Sequence, residues 1–182
     1  NATLYLGDCA EILPTLGKVD AVVTDPPYGI GEAGGNAAKR QRQTGGNSKA
    51  LADQRVYDDL QWDNEPISQE IMDIVRAAGR WNIIFGGNYY ALPPTSCWLV
   101  WDKENGENDF ADCEIAWSNL GTPARCLPHL WNGMLRDSER AVTRVHPTQK
   151  PIAVMKWCLG FLPDANTILD PFMGSGTTLV AC

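Results

Sequence analysis

The sequence predicts an α/β protein: one mostly parallel, twisted sheet with helices on both faces. Three observations predict it. "VDAVVTD" (19–25) and "WNIIFGG" (81–87) are near-continuous apolar runs with little polar alternation, the pattern of strands covered on both sides. Between them, "SQEIMDIVRAAGR" (68–80) is an amphipathic helix with apolar residues at 71, 72, 74, 75, 77 and 78. At the end, "NTILDPFMGSGTTLVAC" (166–182) passes from a strand through a glycine loop into a helix. Strands that alternate with helices in this way build a parallel sheet.

The elements follow in order. "TLYLGD" (3–8) reads as a short strand ending in Gly-Asp, with a weak helical stretch from Cys9 to Leu16 after it. Strand 19–25 comes next. In helix 68–80, Ser68 is the cap and Gly79 lies near the stop. After strand 81–87, "CWLVWDK" (97–103) and "CEIAWSN" (113–119) are two further strands, joined through Asn105-Gly106. They form an antiparallel hairpin at the end of the sheet. Residues 121–144 read as irregular, with Pro123, Pro128 and Gly133. "KPIAVMKWCLGFLP" (150–163) is a helix with Pro151 near its first turn and Pro163 at its end.

With 182 residues and 44% hydrophobic content, the chain suits a single domain. No run of 18 apolar residues occurs, so no membrane span is expected. None of the six cysteines stands in a C-x-x-C pair and there are only two histidines, so metal-ligand spacing is absent. Cys97 and Cys113 lie in apolar strands and read as buried free thiols, which points to a reducing, cytoplasmic setting. A net charge of −7 weighs against nucleic acid, but charge is local. Segment 31–49 holds Lys39, Arg40, Arg42 and Lys49 against Glu32 alone, and no Val, Ile, Leu, Met or aromatic residue. Such a segment is expected to be mobile when unbound. Segment 121–144 carries Arg125, Arg136, Arg140 and Arg144 against Asp137 and Glu139. Both are candidate phosphate contacts; the plain alternative for each is a solvated loop.

In open α/β sheets ligands bind beyond the carboxyl ends of the strands. Two loops fit that place: "TDPPYG" (24–29) and "DPFMGSGTT" (170–178). In the second, Gly174 and Gly176 let the backbone approach a ligand closely. Thr177 and Thr178 open a helix whose amides favour an anion. No lysine precedes Thr177, so this is not a phosphate-cradling Walker loop, and it is not a full G-x-G-x-x-G. A carboxylate-bearing ligand fits better than a pyrophosphate, and an ordinary strand-to-helix turn is the alternative.

In the first loop, Pro26 pushes Asp25 toward an extended backbone and Pro27 does the same to Pro26. Neither proline donates a hydrogen bond. The Asp25 carboxylate and Pro26 carbonyl become two stiff acceptors beside Tyr28. An exocyclic amine has two N–H donors and a lone pair delocalised into its ring. Two fixed acceptors relocalise that lone pair by electrostatic preorganisation. An aromatic ring stacks on a base for about 1–3 kcal/mol. A rigid turn with a surface tyrosine is the plain alternative.

"DPPY", "HPTQKP" (146–151) and "DPFMGSGTT" together resemble the N6-adenine and N4-cytosine DNA methyltransferases, in the order of that family's circularly permuted beta group. The resemblance runs from Tyr5, in "LYLGDC", to the end of the chain. It implies a Rossmann-like methyltransferase fold and S-adenosylmethionine as cofactor. Asp170, Phe172, Gly174, Ser175, Gly176 and Thr177 would line its methionine end, with Thr148 and Lys150 nearby, and Asp8 would meet its adenine. Lys150 and His146 have an alternative role as braces of the loop before helix 151–162. Asp25, Pro26, Pro27 and Tyr28 would hold the target base, flipped out of double-stranded DNA.

The aspartate form of the tetrapeptide is typical of adenine, whereas serine there often marks N4-cytosine. RNA and glutamine methylases of similar type usually carry Asn in its place. The family's next strand, acidic at its end for the cofactor ribose, would lie between the glycine-loop strand and "LYLGD"; the sequence stops at Cys182 before it. That leaves a catalytically inactive DNA-binding remnant as a rival to an active enzyme. The segment 121–144 is shorter than a dedicated target-recognition domain, which suits low sequence specificity or a small phage-like enzyme. Monomer and dimer both stay open.

Overall fold

The computed structural model describes residues 1–31, 63–106, 111–132, 135–140, 145–146 and 148–182. Its centre is a six-stranded sheet in the order β5-β3-β4-β2-β1-β8. The strands are β1 (Val19–Thr24), β2 (Gly79–Phe85), β3 (Cys97–Asp102), β4 (Cys113–Ser118), β5 (Arg125–Pro128) and β8 (Ile168–Leu169). Parallel pairs join β1 to β2, β1 to β8 and β3 to β5, while β4 is antiparallel to both β2 and β3. A small ribbon, β6 (Trp131–Asn132) with β7 (Leu135–Arg136), forms a separate two-stranded sheet.

Four α-helices are described: α1 (Cys9–Ile12), α2 (Gln69–Ala78), α3 (Ile152–Leu159) and α4 (Thr177–Ala181). Alternate residues of a strand face opposite sides, and the core divides accordingly. Val23, Ile83 and Phe85 pack with Val154, Met155 and Cys158 of α3. Val22 packs with Leu13 and with Val75 of α2, and Ile84 with Met72 of α2. Helices therefore cover both faces, as the apolar runs require.

Helix α2 matches its sequence signature. The Ser68 hydroxyl accepts from Ile71 N at 3.3 Å, and Gly79 ends the helix and begins β2. A Cβ on Gly79 would lie 2.9 Å from the backbone nitrogen of Val22, so helix, turn and β1 pack closely. Ser68→Ala should destabilise the fold by about 1 kcal/mol. A lowered denaturant midpoint at unchanged m-value would show it; an unmoved midpoint would mean the cap contributes nothing.

Four expectations change. Residues 3–8 form no strand, and Leu4, Tyr5 and Leu6 are exposed. A strand needs a neighbour to satisfy its backbone, and no described strand lies beyond β8 for it to join. The hairpin of β3 and β4 is not terminal, because β5 pairs outside β3. Segment 121–144 is thus not wholly irregular. "RCLP" lacks an apolar pattern, and it becomes a strand only because the edge of β3 offers it partners. Cys113 is exposed while Cys97 is buried, since Cys113 opens β4 at the poorly covered end of that strand.

Candidate active site

The topology opens a crevice beside β1. The chain leaves β1 for β2 through α2 on one face and reaches β8 after α3 on the other, so β1 is flanked by strands reached in opposite directions. Ligand sites form at such points, beyond the carboxyl ends of the strands. The two loops there are the ones the sequence singles out. Asp170 ties them together. Its Oδ1 accepts from the Thr24 hydroxyl at 2.7 Å and Phe172 N at 3.2 Å, and its Oδ2 from the Thr178 hydroxyl at 2.5 Å. Burial pushes its carboxyl pKa up, against the pull of those hydroxyls. Asp170 lines the crevice, yet both oxygens are engaged in bracing the end of β1 against the glycine loop.

The turn after Tyr28 is held from behind by Asp63, a buried residue whose Oδ1 accepts from Tyr28 N at 2.8 Å and Gly29 N at 3.0 Å. The Tyr28 ring stacks on Tyr89 with centroids 4.9 Å apart and planes 14° from parallel. Gly86, at φ +64°, admits the ring: a Cβ there would sit 2.0 Å from Tyr28 Cε1. Tyr90 donates its hydroxyl to the Pro27 carbonyl, and Tyr28 donates its own to Asp25 Oδ1. Pro26 is fully buried. Besides its two prolines, the loop is thus tied down by hydrogen bonds from Tyr90, within itself from Tyr28, and to Asp63.

A row of charges continues from Asp25. Lys150 Nζ lies 2.5 Å from Asp25 Oδ2 and 3.0 Å from Glu114 Oε2, and Lys103 Nζ lies 2.6 Å from Glu114 Oε1. The Lys150 side chain is 7% exposed and that of Asp25 22%. Burial pushes the Asp25 carboxyl pKa up, and Glu114 adds to this, while Lys150 opposes both. For Glu114, burial also works against the charge, but Lys150 and Lys103 outweigh it and hold the pKa at about 2. Lys150 loses solvation and is nevertheless held above the ordinary lysine value by its two carboxylates. The tyrosine phenol of Tyr28 is pushed well up, by burial and then by Asp25.

Asp25, Pro27, Thr148 and Lys150 line one cleft of about 330 Å³ with Gly174, Ser175, Thr177 and Thr178 of the glycine loop. Gly174 and Gly176 take φ of +48° and +76°, a region that glycine enters without strain. Ser175 Oγ and Thr177 Oγ1 are 3.0 Å apart on that wall. His146 Nδ1 accepts from Thr148 N at 3.3 Å. Of the expected cofactor residues, Gly176 and Asp8 do not line the cleft: Gly176 caps α4 behind the loop, and the Asp8 carboxylate is exposed and caps α1 through Ala10 N.

Among the arginines, Arg136 lies over the Trp131 ring at 4.6 Å, and Arg140 donates to the Arg136 carbonyl at 2.7 Å. Lys39, Arg40, Arg42, Lys49 and Arg144 lie outside the described residues. Asp63, Gly86, Tyr89, Tyr90, Lys103 and Glu114 escaped the sequence reading as site residues. Glu114 alone carried a signal, as a carboxylate within an otherwise apolar strand, where it needs a partner. Among the described residues no group of three His, Cys, Asp or Glu is placed to hold a metal ion, and no helix is long and apolar enough to cross a membrane.

No curated protein matches the chain in sequence. Several solved chains resemble it, among them two crystal structures. The crystal structure of the M1.HpyAVI-SAM complex has 22% identity and a TM-score of 0.51, covering 98% of this chain and 86% of that one. The crystal structure of M1.HpyAVI has 22% identity and a TM-score of 0.49, covering 98% and 84%. The first of these shows a shared fold. The pattern of the N6/N4 family described as DNA methylase runs through residues 92–182, which include Lys150 and the whole glycine loop. Half of the chain carries that pattern, and the other half brings Asp25 and Pro27 to the same cleft, while Pro26 and Tyr28 pack behind them and do not line it; the chain belongs to the N6/N4 DNA methylases.

Proposed function

We propose that the chain transfers a methyl group from S-adenosylmethionine to the exocyclic N6 amine of adenine in double-stranded DNA. One observation carries this: Asp25 of the tetrapeptide and Gly174, Ser175, Thr177 and Thr178 of the glycine loop line a single cleft. When bound, S-adenosylmethionine supplies an electrophilic methyl group on a sulfonium. The cleft suits it. The backbone of Gly174, the hydroxyls of Ser175 and Thr177 and the face of Phe172 would hold its amino-acid end, with Thr148 alongside and Gly176 giving the turn behind them its positive φ. Asp8 has no part in this reading.

With the cofactor bound, the amine nitrogen would take the methyl carbon as the carbon–sulfur bond breaks, leaving S-adenosylhomocysteine as a neutral thioether, and the acidic methylated amine would shed its extra proton to solvent. Asp25 serves as the acceptor that orients the amine, and its raised pKa keeps it a good acceptor. In the structure Oδ1 already holds the Tyr28 hydroxyl, so an entering amine takes that oxygen by exchange with it. Positioning supplies much of the rate. Aspartate at the head of the tetrapeptide supports adenine over cytosine. The motif order supports a circularly permuted chain. Arg136 and Arg140 would meet phosphates, making affinity fall steeply with salt.

Transfer of labelled methyl from S-adenosylmethionine to duplex DNA, followed by nucleoside analysis, tests the proposal. N6-methyladenine is the expected product. N4-methylcytosine as the sole product would move the assignment to cytosine, and DNA binding without any transfer would indicate an inactive remnant.

A further inference from the structure

Glu114 and Lys103 belong to none of the sequence motifs, yet they complete the charged row that ends on Asp25. Glu114 sits on β4, an interior strand, opposite Trp101 of β3. A carboxylate in such a place is costly unless paired. Lys103 pairs one of its oxygens at 2.6 Å and Lys150 the other at 3.0 Å. Lys150, in turn, is shared between Glu114 and Asp25. An ammonium shared by two carboxylates belongs wholly to neither.

We infer that Glu114, backed by Lys103, is a positioning residue for methyl transfer: it fixes the Lys150 ammonium beside Asp25 and takes part of its charge, leaving Asp25 an ordered and strong acceptor. The inference rests on the reading of Asp25 as acceptor of the target amine. Without Glu114, Lys150 would pair with Asp25 alone and draw on the electron density that the amine hydrogens need. The other groups around Asp25 are fixed in kind. Tyr28 donates to Oδ1 from the loop after β1, Tyr90 approaches from the segment after β2, and Asp170 faces it from the end of β8. Among the described residues only Lys150 carries positive charge against it, so the partner of Lys150 sets how much of that charge Asp25 feels.

The two outer members of the row should act in opposite directions. Glu114→Gln removes a negative charge near Asp25 and favours its ionised form. Lys103→Met frees Glu114 to draw Lys150 away, and disfavours it. The experiment measures kcat, KM for DNA, calorimetric affinity for S-adenosylmethionine and the pH profile of kcat/KM for both variants, with Asp25→Ala beside them. Glu114→Gln is expected to lower kcat about 10- to 100-fold. KM for DNA and cofactor affinity should stay within about twofold, since only transition-state contacts are lost. The acid limb should move to lower pH in Glu114→Gln and to higher pH in Lys103→Met. Reduced kcat with an unmoved limb, or limbs that move the same way, would overturn the inference and leave Glu114 a structural residue. Wild-type turnover in Asp25→Ala would instead remove the acceptor reading on which the inference stands.

Discussion

Asp25→Ala is expected to abolish methyl transfer while the protein still folds and binds S-adenosylmethionine. The carboxylate stands at the carboxyl end of β1 with Tyr28 and Lys150 on its two oxygens. Its loss removes a preorganised acceptor, a change worth about 10²–10³-fold or more in kcat. Breaking a buried ion pair costs about 3–5 kcal/mol when one charge is left alone. Here Lys150 keeps Glu114 at 3.0 Å, so the loss of stability should fall below that range. The glycine loop should be undisturbed, because Asp170, Thr24 and Thr178 hold it without help from Asp25. Calorimetric titration with S-adenosylmethionine and single-turnover transfer to DNA separate the two effects. Turnover within tenfold (about 1.4 kcal/mol) of wild type would show that Asp25 is not the acceptor.

Gly86→Ala is expected to be nearly as damaging, from a residue that touches no substrate. The added methyl would lie 2.0 Å from Tyr28 Cε1, 2.5 Å from Cδ1 and 2.6 Å from Cζ. The ring cannot retreat easily. Asp63 holds its backbone, Asp25 its hydroxyl, and Tyr89 stacks against it. A left-handed backbone at an alanine adds about 1–2 kcal/mol. Tyr28 must leave its place, and kcat should fall about 100-fold, as misplacement by an ångström does. The variant Tyr28→Ala separates the two causes. In that background Gly86→Ala should retain only the backbone strain, so a double-mutant cycle in denaturant unfolding should give a coupling of about 1–3 kcal/mol. Additive effects would show that Gly86 does not exist to admit the ring.

Much of this site is legible because its two loops are local constructions. Pro26 and Pro27 stiffen the chain wherever they stand, and Gly174 and Gly176 permit positive φ wherever they stand. Helix α2 is equally local, with its cap, its apolar face and its stop inside a dozen or so residues. Strand β5 and the failed strand at 3–8 mark the other limit. "RCLP" pairs because β3 presents an edge to it, while "TLYLGD" has strand-like composition and no described neighbour. Pairing is a property of two segments, and neither segment encodes it alone. Glu114 and Lys103 belong with these. Eleven positions separate them in the chain, and their meaning arises only where β3 and β4 run side by side below Lys150.

By itself the sequence determined the α/β class, the buried strands, the cap of α2 and the two loops that meet at the cleft, because proline, glycine and apolar periodicity act within a few residues of themselves. The tertiary structure decided that those loops share one cleft, that Asp170 braces it, that Asp8 stays outside it, and that Asp25 answers to a lysine shared with Glu114. Those are matters of charge and distance between residues as far apart as 25 and 150, and such distances exist only after the chain has folded.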